Sequence, residues 1–212
     1  MTGLTTSPQR SPITSEVAWT ARDVADPARW STHLTDEQRT AIIDAARVAA
    51  RGGDLTHEVL QTAFDLPSLR ADIAGWVEAL RAGRGFAVVR GFPTDELTPR
   101  QTEVAYLGLG LQMGTPVSQN ARGDLLGHVR DEGVTRIDPS VRLYQTRQRQ
   151  DFHTDGADIV GLLCLHAARS GGESRIASSA TVHNRILAER PDLIEVLSRP
   201  MFWDRNDEES AG

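Results

Sequence analysis

Between Thr35 and Arg81 the apolar side chains recur every three or four residues, while beyond Gly83 they fall mostly into short runs cut by glycine and proline. The first pattern belongs to helices lying on a core, and the second to short strands joined by turns. Thr35 and Gln38 offer a capping box, after which Ile42, Ile43, Ala46 and Ala50 keep helical spacing up to Gly52 and Gly53. The spacing predicts a second helix over 66–81, with Pro67 in its first turn and Leu69, Ile73, Trp76, Val77 and Leu80 on one face, stopped by Gly83. Phe86, Val88 and Val89 between Gly85 and Gly91 then read as a short strand turning at Pro93.

A further helix is expected over 98–113, followed by a long loop over 114–138, where Gly114, Pro116, Gly123, Gly127 and Gly133 break any period. Long loops inside compact domains are often functional. Extended segments are expected at Val141 to Tyr144, Ile159 to His166 and Ser174 to Ser178, and helices at Val182 to Glu189 and Pro191 to Leu197. Helices ahead of glycine-broken strands make an α+β chain with a β-sandwich or jelly-roll core. Residues 1–34, rich in Ser, Thr and Pro, read as a loosely ordered lead-in, and 35–212 as one domain.

Charge narrows the function. Lys plus Arg number 23 against 29 Asp plus Glu, a net charge of -6 that offers no basic field for a phosphate backbone, so no nucleic-acid partner is expected. The apolar run around Ile159 to Leu165 is too short to span a bilayer, and 1–12 has no apolar signal core, which suggests a cytoplasmic protein with no membrane partner. The single cysteine, Cys164, sits in an apolar run and is assigned no chemistry.

The chemistry centres on Asp151-Phe152-His153-Thr154-Asp155-Gly156. Residues two apart share a face on an extended backbone and diverge on a helix. One imidazole and one carboxylate converging in this way make two-thirds of a facial triad, which holds iron(II) and leaves positions open. Standing alone, the tripeptide also fits an ordinary surface turn.

Its surroundings extend the pattern. Tyr144-Gln145-Thr146, then Arg149-Gln150-Asp151-Phe152-His153-Thr154-Asp155-Gly156, then Gly171-Gly172-Glu173-Ser174 resemble the taurine dioxygenase (TauD/TfdA) family, as do Gly85 to Pro93 and Gly114-Thr115-Pro116. The resemblance covers about 66–212. It implies a double-stranded β-helix, the jelly roll of clavaminate synthase-like proteins, with flanking N-terminal helices and with Fe(II) and 2-oxoglutarate as cofactor and cosubstrate. It implies consumption of O2, decarboxylation of 2-oxoglutarate to succinate, and hydroxylation of a small-molecule substrate. His153 and Asp155 would be iron ligands, and the presence of Asp155 disfavours the chloride-binding variant. Ser174 stands where the family has a threonine that touches the cosubstrate carboxylate, and a serine hydroxyl can donate the same bond. The family's second iron-binding histidine and its 2-oxoglutarate-binding arginine have no counterpart in these residues, so the fold is expected to be incomplete at the C-terminus and the chain a fragment. The rival expectation is a non-catalytic metal- or ligand-binding remnant. A zinc hydrolase carries less weight, because no histidine-rich ligand set surrounds His153.

Asn120 and His128, together with Gln119, lie in the long loop, where they could line a substrate pocket or simply be solvated. His166 reads as a capping or hydrogen-bonded side chain and His183 as a solvent-facing helix residue; Arg147 and Arg149 read as partners of surface acids. The four tryptophans, Trp19, Trp30, Trp76 and Trp203, are scattered along the chain.

Overall fold

A computed structural model describes residues 9–51, 64–120, 123–131, 133, 144 and 146–201, and all structural statements below concern these residues. They form an α+β chain that divides into two compact units.

The first unit draws its described residues from Met1–Thr35, Leu69–Phe92 and Arg175–Phe202. Its sheet is a parallel pair, β1 (Ser31–His33) beside β2 (Val88–Arg90), with Thr32 opposite Val89. Gly85 and Gly91 bracket β2 at φ +81 each, a left-handed backbone that glycine adopts without steric penalty. A 3-10 turn, Pro27–Arg29, leads into β1, capped by the Asp26 carboxylate accepting from the Ala28 N–H. Helix α2 (Arg70–Arg81) buries Ile73 and Trp76, and the Trp76 indole N–H donates to Thr32 Oγ1 on β1 at 3.3 Å. Near the other end of the chain, α4 (Ser179–Glu189) and α5 (Pro191–Leu197) pack on each other, with Ala180 and Ile194 buried.

Residues of the 9–34 stretch make contacts with distant parts of the first unit. The Asn184 side chain on α4 accepts from the Ile13 N–H and donates to the Ile13 carbonyl, both at 2.7 Å. Ser178 and Thr181 donate to the Val17 and Trp19 carbonyls. Trp19 and Trp30 then close on Phe86 with ring centroids 5.2 and 5.6 Å apart. These partners are more than 60 residues away in sequence for Trp19 and more than 160 for the α4 bonds. Local composition therefore carries no trace of them.

The second unit draws on Asp36–Ser68, Pro93–Ser174 and Trp203–Gly212. Its core is the pairing of α1 (Asp36–Ala49) with α3 (Pro99–Leu111). Ile42, Ile43, Ala46 and Ala49 are the buried face of α1, and Val104, Ala105, Gly108, Leu109 and Leu111 are buried on α3. Each buried isoleucine or leucine contributes about 1.5–3 kcal/mol. The start of α3 is closed by a capping box, Thr98 accepting from the Gln101 N–H while the Gln101 side chain accepts from the Thr98 N–H. Arg39 on α1 reaches Glu96 at 2.6 Å and Asp95 at 3.5 Å, and the Glu96 hydrogen bond raises the guanidinium pKa above its ordinary value.

The helices match the sequence periodicity closely, but the expected strands do not all form. The 159–166 and 174–178 segments are not strands, and the only sheet among the described residues has two members. Residues 141–143 of the other expected strand lie outside the described residues. A strand exists only through hydrogen bonds to a neighbour, and 159–166 has none among the described residues. Val160 and Leu162 are 52% and 74% exposed, so the apolar character that suggested a buried strand here meets no covering layer.

Candidate metal centre

His153 and Asp155 sit in irregular backbone of the second unit, close enough to act together. His153 Nε2 lies 3.8 Å from Asp155 Oδ1, and both side chains are about half exposed, at 47% and 55%. The other ring nitrogen, Nδ1, is 2.7 Å from the Asp151 carbonyl oxygen. A carbonyl can only accept, so Nδ1 carries the proton, and in the neutral ring the Nε2 lone pair is left facing the carboxylate. Tying the remote nitrogen to a backbone carbonyl is the usual way a metal-binding histidine is held in one tautomer and orientation.

This donor pair fits a divalent ion. Metal bonds to imidazole nitrogen and carboxylate oxygen are about 2.0–2.2 Å, so two such donors at right angles stand roughly 3 Å apart. Half-exposed side chains 3.8 Å apart reach that spacing through small rotations. Among the described residues no group of three or more His, Cys, Asp or Glu side chains gathers into a metal cage. The pair thus offers two candidate donors, with no third gathered beside them among the described residues.

The other candidates divide. Ser174 is exposed and follows Gly171 and Gly172, whose φ values of +74 and +77 are ones that side chains rarely adopt. Asn120, offered as a substrate contact, is engaged in closing its own loop. Its Nδ2 donates to Asp124 Oδ2 at 2.7 Å, its Oδ1 accepts from the Asp124 N–H at 3.4 Å, and its carbonyl accepts from Gly123 N–H and the Ser118 hydroxyl. An asparagine folding its own turn in this way has spent its polar atoms locally. His128 points at α3, with Nε2 3.4 Å from Glu103 Oε1, while Arg100 approaches the same carboxylate at 3.5 Å. Arg147 pairs with Asp131 at 2.9 Å, as expected of a partner for a surface acid. His166 is exposed, whereas His183, read as solvent-facing, has Nε2 buried with no hydrogen-bond partner among the described residues.

An imidazole and a carboxylate two residues apart on irregular backbone are geometrically able to share one divalent ion. The profile of the Taurine catabolism dioxygenase TauD, TfdA family matches residues 51–209, and the chain belongs to that family. Among its relatives, FR-33289 synthase of Streptomyces rubellomurinus (strain ATCC 31215) is 34% identical over 204 residues, which is 96% of this chain and 60% of that protein. The taurine hydroxylase-like protein SAT17 of Stachybotrys chartarum (strain CBS 109288 / IBT 7711) is 27% identical over 201 residues, 91% of this chain and 52% of that protein. The chain thus spans between half and two thirds of the length of the curated relatives it matches. No described helix is long and apolar enough to cross a membrane.

Proposed function

We propose that the protein is an iron(II)- and 2-oxoglutarate-dependent dioxygenase that hydroxylates a small organic substrate. The observation that carries this reading is the pairing of His153 Nε2 with Asp155 Oδ1 at 3.8 Å, with Nδ1 tied back to the Asp151 carbonyl. Family membership and the synthase and hydroxylase names of two relatives support an oxygenase.

In this reading His153 offers a neutral nitrogen lone pair that needs no proton removed before it binds iron. Asp155 brings the negative charge that offsets part of the ion's own. Ser174, just after Gly171 and Gly172, would donate a hydrogen bond from its hydroxyl to a carboxylate of 2-oxoglutarate. When bound, iron(II) with 2-oxoglutarate supplies the activation of O2 and the oxidation of an unactivated carbon–hydrogen bond. His128, held beside α3 by Glu103, and Asn120, whose side chain bonds Asp124, are the substrate-contact candidates. The fold is proposed to be the jelly roll of the family.

Anaerobic titration with iron(II) and then 2-oxoglutarate tests the reading. The wild-type chain is expected to develop the visible charge-transfer band of the chelate, and H153A and D155A to lose it. No band in the wild type, or an equal band in both variants, removes the proposal. The two-residue donor set among the described residues also favours a second reading, a protein that binds metal without turnover. Succinate formation on adding O2 and a substrate panel separates the two.

A further inference from the structure

A cavity of about 260 Å³ opens in the first unit between the Ala28 to Thr32 stretch and one face of α2. It has no part in the metal-centre argument, since none of its lining residues belongs to the second unit. Its space exists because α2 turns Ala71, Gly75 and Ala79 toward it, small residues at helical spacing. Two indoles, Trp30 and the buried Trp76, form apolar wall. Both of their N–H groups are already spent, on the Val24 carbonyl and on Thr32 Oγ1. The walls therefore offer ring surface and not donors.

Charge sets the sign of an occupant. The ionisable side chains lining the cavity are Arg29, Arg84 and Asp72, one net positive charge. Arg29 already donates to the Asp23 carbonyl, and its charge acts on the Asp23 carboxylate. Arg84 differs: it is half-buried, and among the described residues no hydrogen bond or ion pair engages its guanidinium. A partly desolvated guanidinium with its fork unanswered, beside ring surface in a concavity, suits a carboxylate attached to a flat apolar body. The volume lies below the range of drug-sized pockets, which limits the occupant to a small molecule.

We propose that this cavity binds a small aromatic carboxylate, its anionic head on Arg84 and its ring against Trp30, Trp76 and the small-residue face of α2. The site is separate from the iron chemistry and does not rest on it.

The test uses benzoate as probe, by calorimetry on the full chain at low salt with a chelator present to remove any metal. Benzoate is expected to bind, and benzamide, its neutral counterpart, to bind at least about tenfold more weakly because the charge-assisted bond is lost. R84Q should weaken benzoate by a similar factor. G75L should abolish binding by filling the cavity, since a Cβ at Gly75 meets nothing within 4 Å and the larger side chain can enter the space without displacing backbone. H153A should bind benzoate as the wild type does. Far-UV circular dichroism confirms that each variant is folded. If R84Q fails to fold, G75L and benzamide still decide. No benzoate binding in the wild type, equal affinity for benzamide, or an unchanged affinity in folded R84Q or G75L overturns the proposal.

Discussion

Replacing Gly108 by alanine should destabilise the second unit, although the same change elsewhere in the same helix should stabilise it. A Cβ built at Gly108 on α3 would lie 2.3, 2.5 and 2.6 Å from three ring carbons of Phe64. Ordinary carbon contacts are about 3.5–4.0 Å, so the ring would have to recede by roughly an ångström or more. It has little freedom to do so. Phe64 is fully buried, and its carbonyl accepts from the Gln112 side chain one helical turn beyond Gly108. Overpacking of this kind costs about 1–3 kcal/mol, while alanine over glycine returns about 1 kcal/mol of helix propensity. G108A is therefore expected to lose up to about 2 kcal/mol. Gly110 sits two residues on, exposed, with nothing within 4 Å of where an alanine methyl would stand, so G110A should gain up to about 1 kcal/mol. Urea titrations followed by circular dichroism measure both, read as a change in midpoint at constant slope. The opposite signs are the test. If G108A is as stable as G110A, the Phe64 contact does not exist and the account of this core is wrong.

Other outcomes follow from single contacts. T98A breaks the capping box of α3 and should cost about 1 kcal/mol in the same assay. Tyr106 is half-buried, and desolvation raises its pKa above the ordinary phenol value. Because the folded value is the higher one, its stabilising contribution is complete below about pH 10 and is lost as pH rises through the folded value. In an ultraviolet alkaline titration the last phenolate absorbance to appear should vanish in Y106F. Asp23 has a lowered pKa, chiefly because its carboxylate accepts from the Thr20 backbone N–H and then from the Thr20 hydroxyl. Its contribution is present above the unfolded value and fades as pH falls through the folded one, so carboxyl resonances followed by NMR should place its midpoint below that of an unstructured aspartate.

The helices were legible because their signals are local. Spacing with Pro67 and Gly83 placed α2, and the helix expected over 98–113 forms as α3. β2 was legible from Val88 and Val89 between glycines, but its partner was not. Ser31, Thr32 and His33 show no apolar alternation, and they form a strand only because Val88 to Arg90 lies alongside, 57 residues later. The tryptophans that look scattered follow the same rule, since Trp19 and Trp30 meet only at Phe86. The loop polar residues meet a related limit. Nothing in the spacing of Asn120 and Asp124 separates a side chain reaching for a substrate from one folding its own turn, because both uses need the same amide.

The His153 and Asp155 pair escapes this limit because its geometry is also local. Two residues two positions apart share a face where the backbone between them is extended, and no distant partner is needed to bring Nε2 within 3.8 Å of Oδ1. Even the tautomer follows from the chain's immediate neighbourhood, since the Asp151 carbonyl that takes the Nδ1 proton is only two residues away. The third position of a triad is a different problem. Any side chain completing the set must arrive from elsewhere in the fold, as β1 arrives beside β2. Two candidate donors can thus be read from six consecutive residues, whereas any further ones are fixed only by tertiary structure. For that reason a metal titration on H153A and D155A probes the local half of the centre without presupposing the other half.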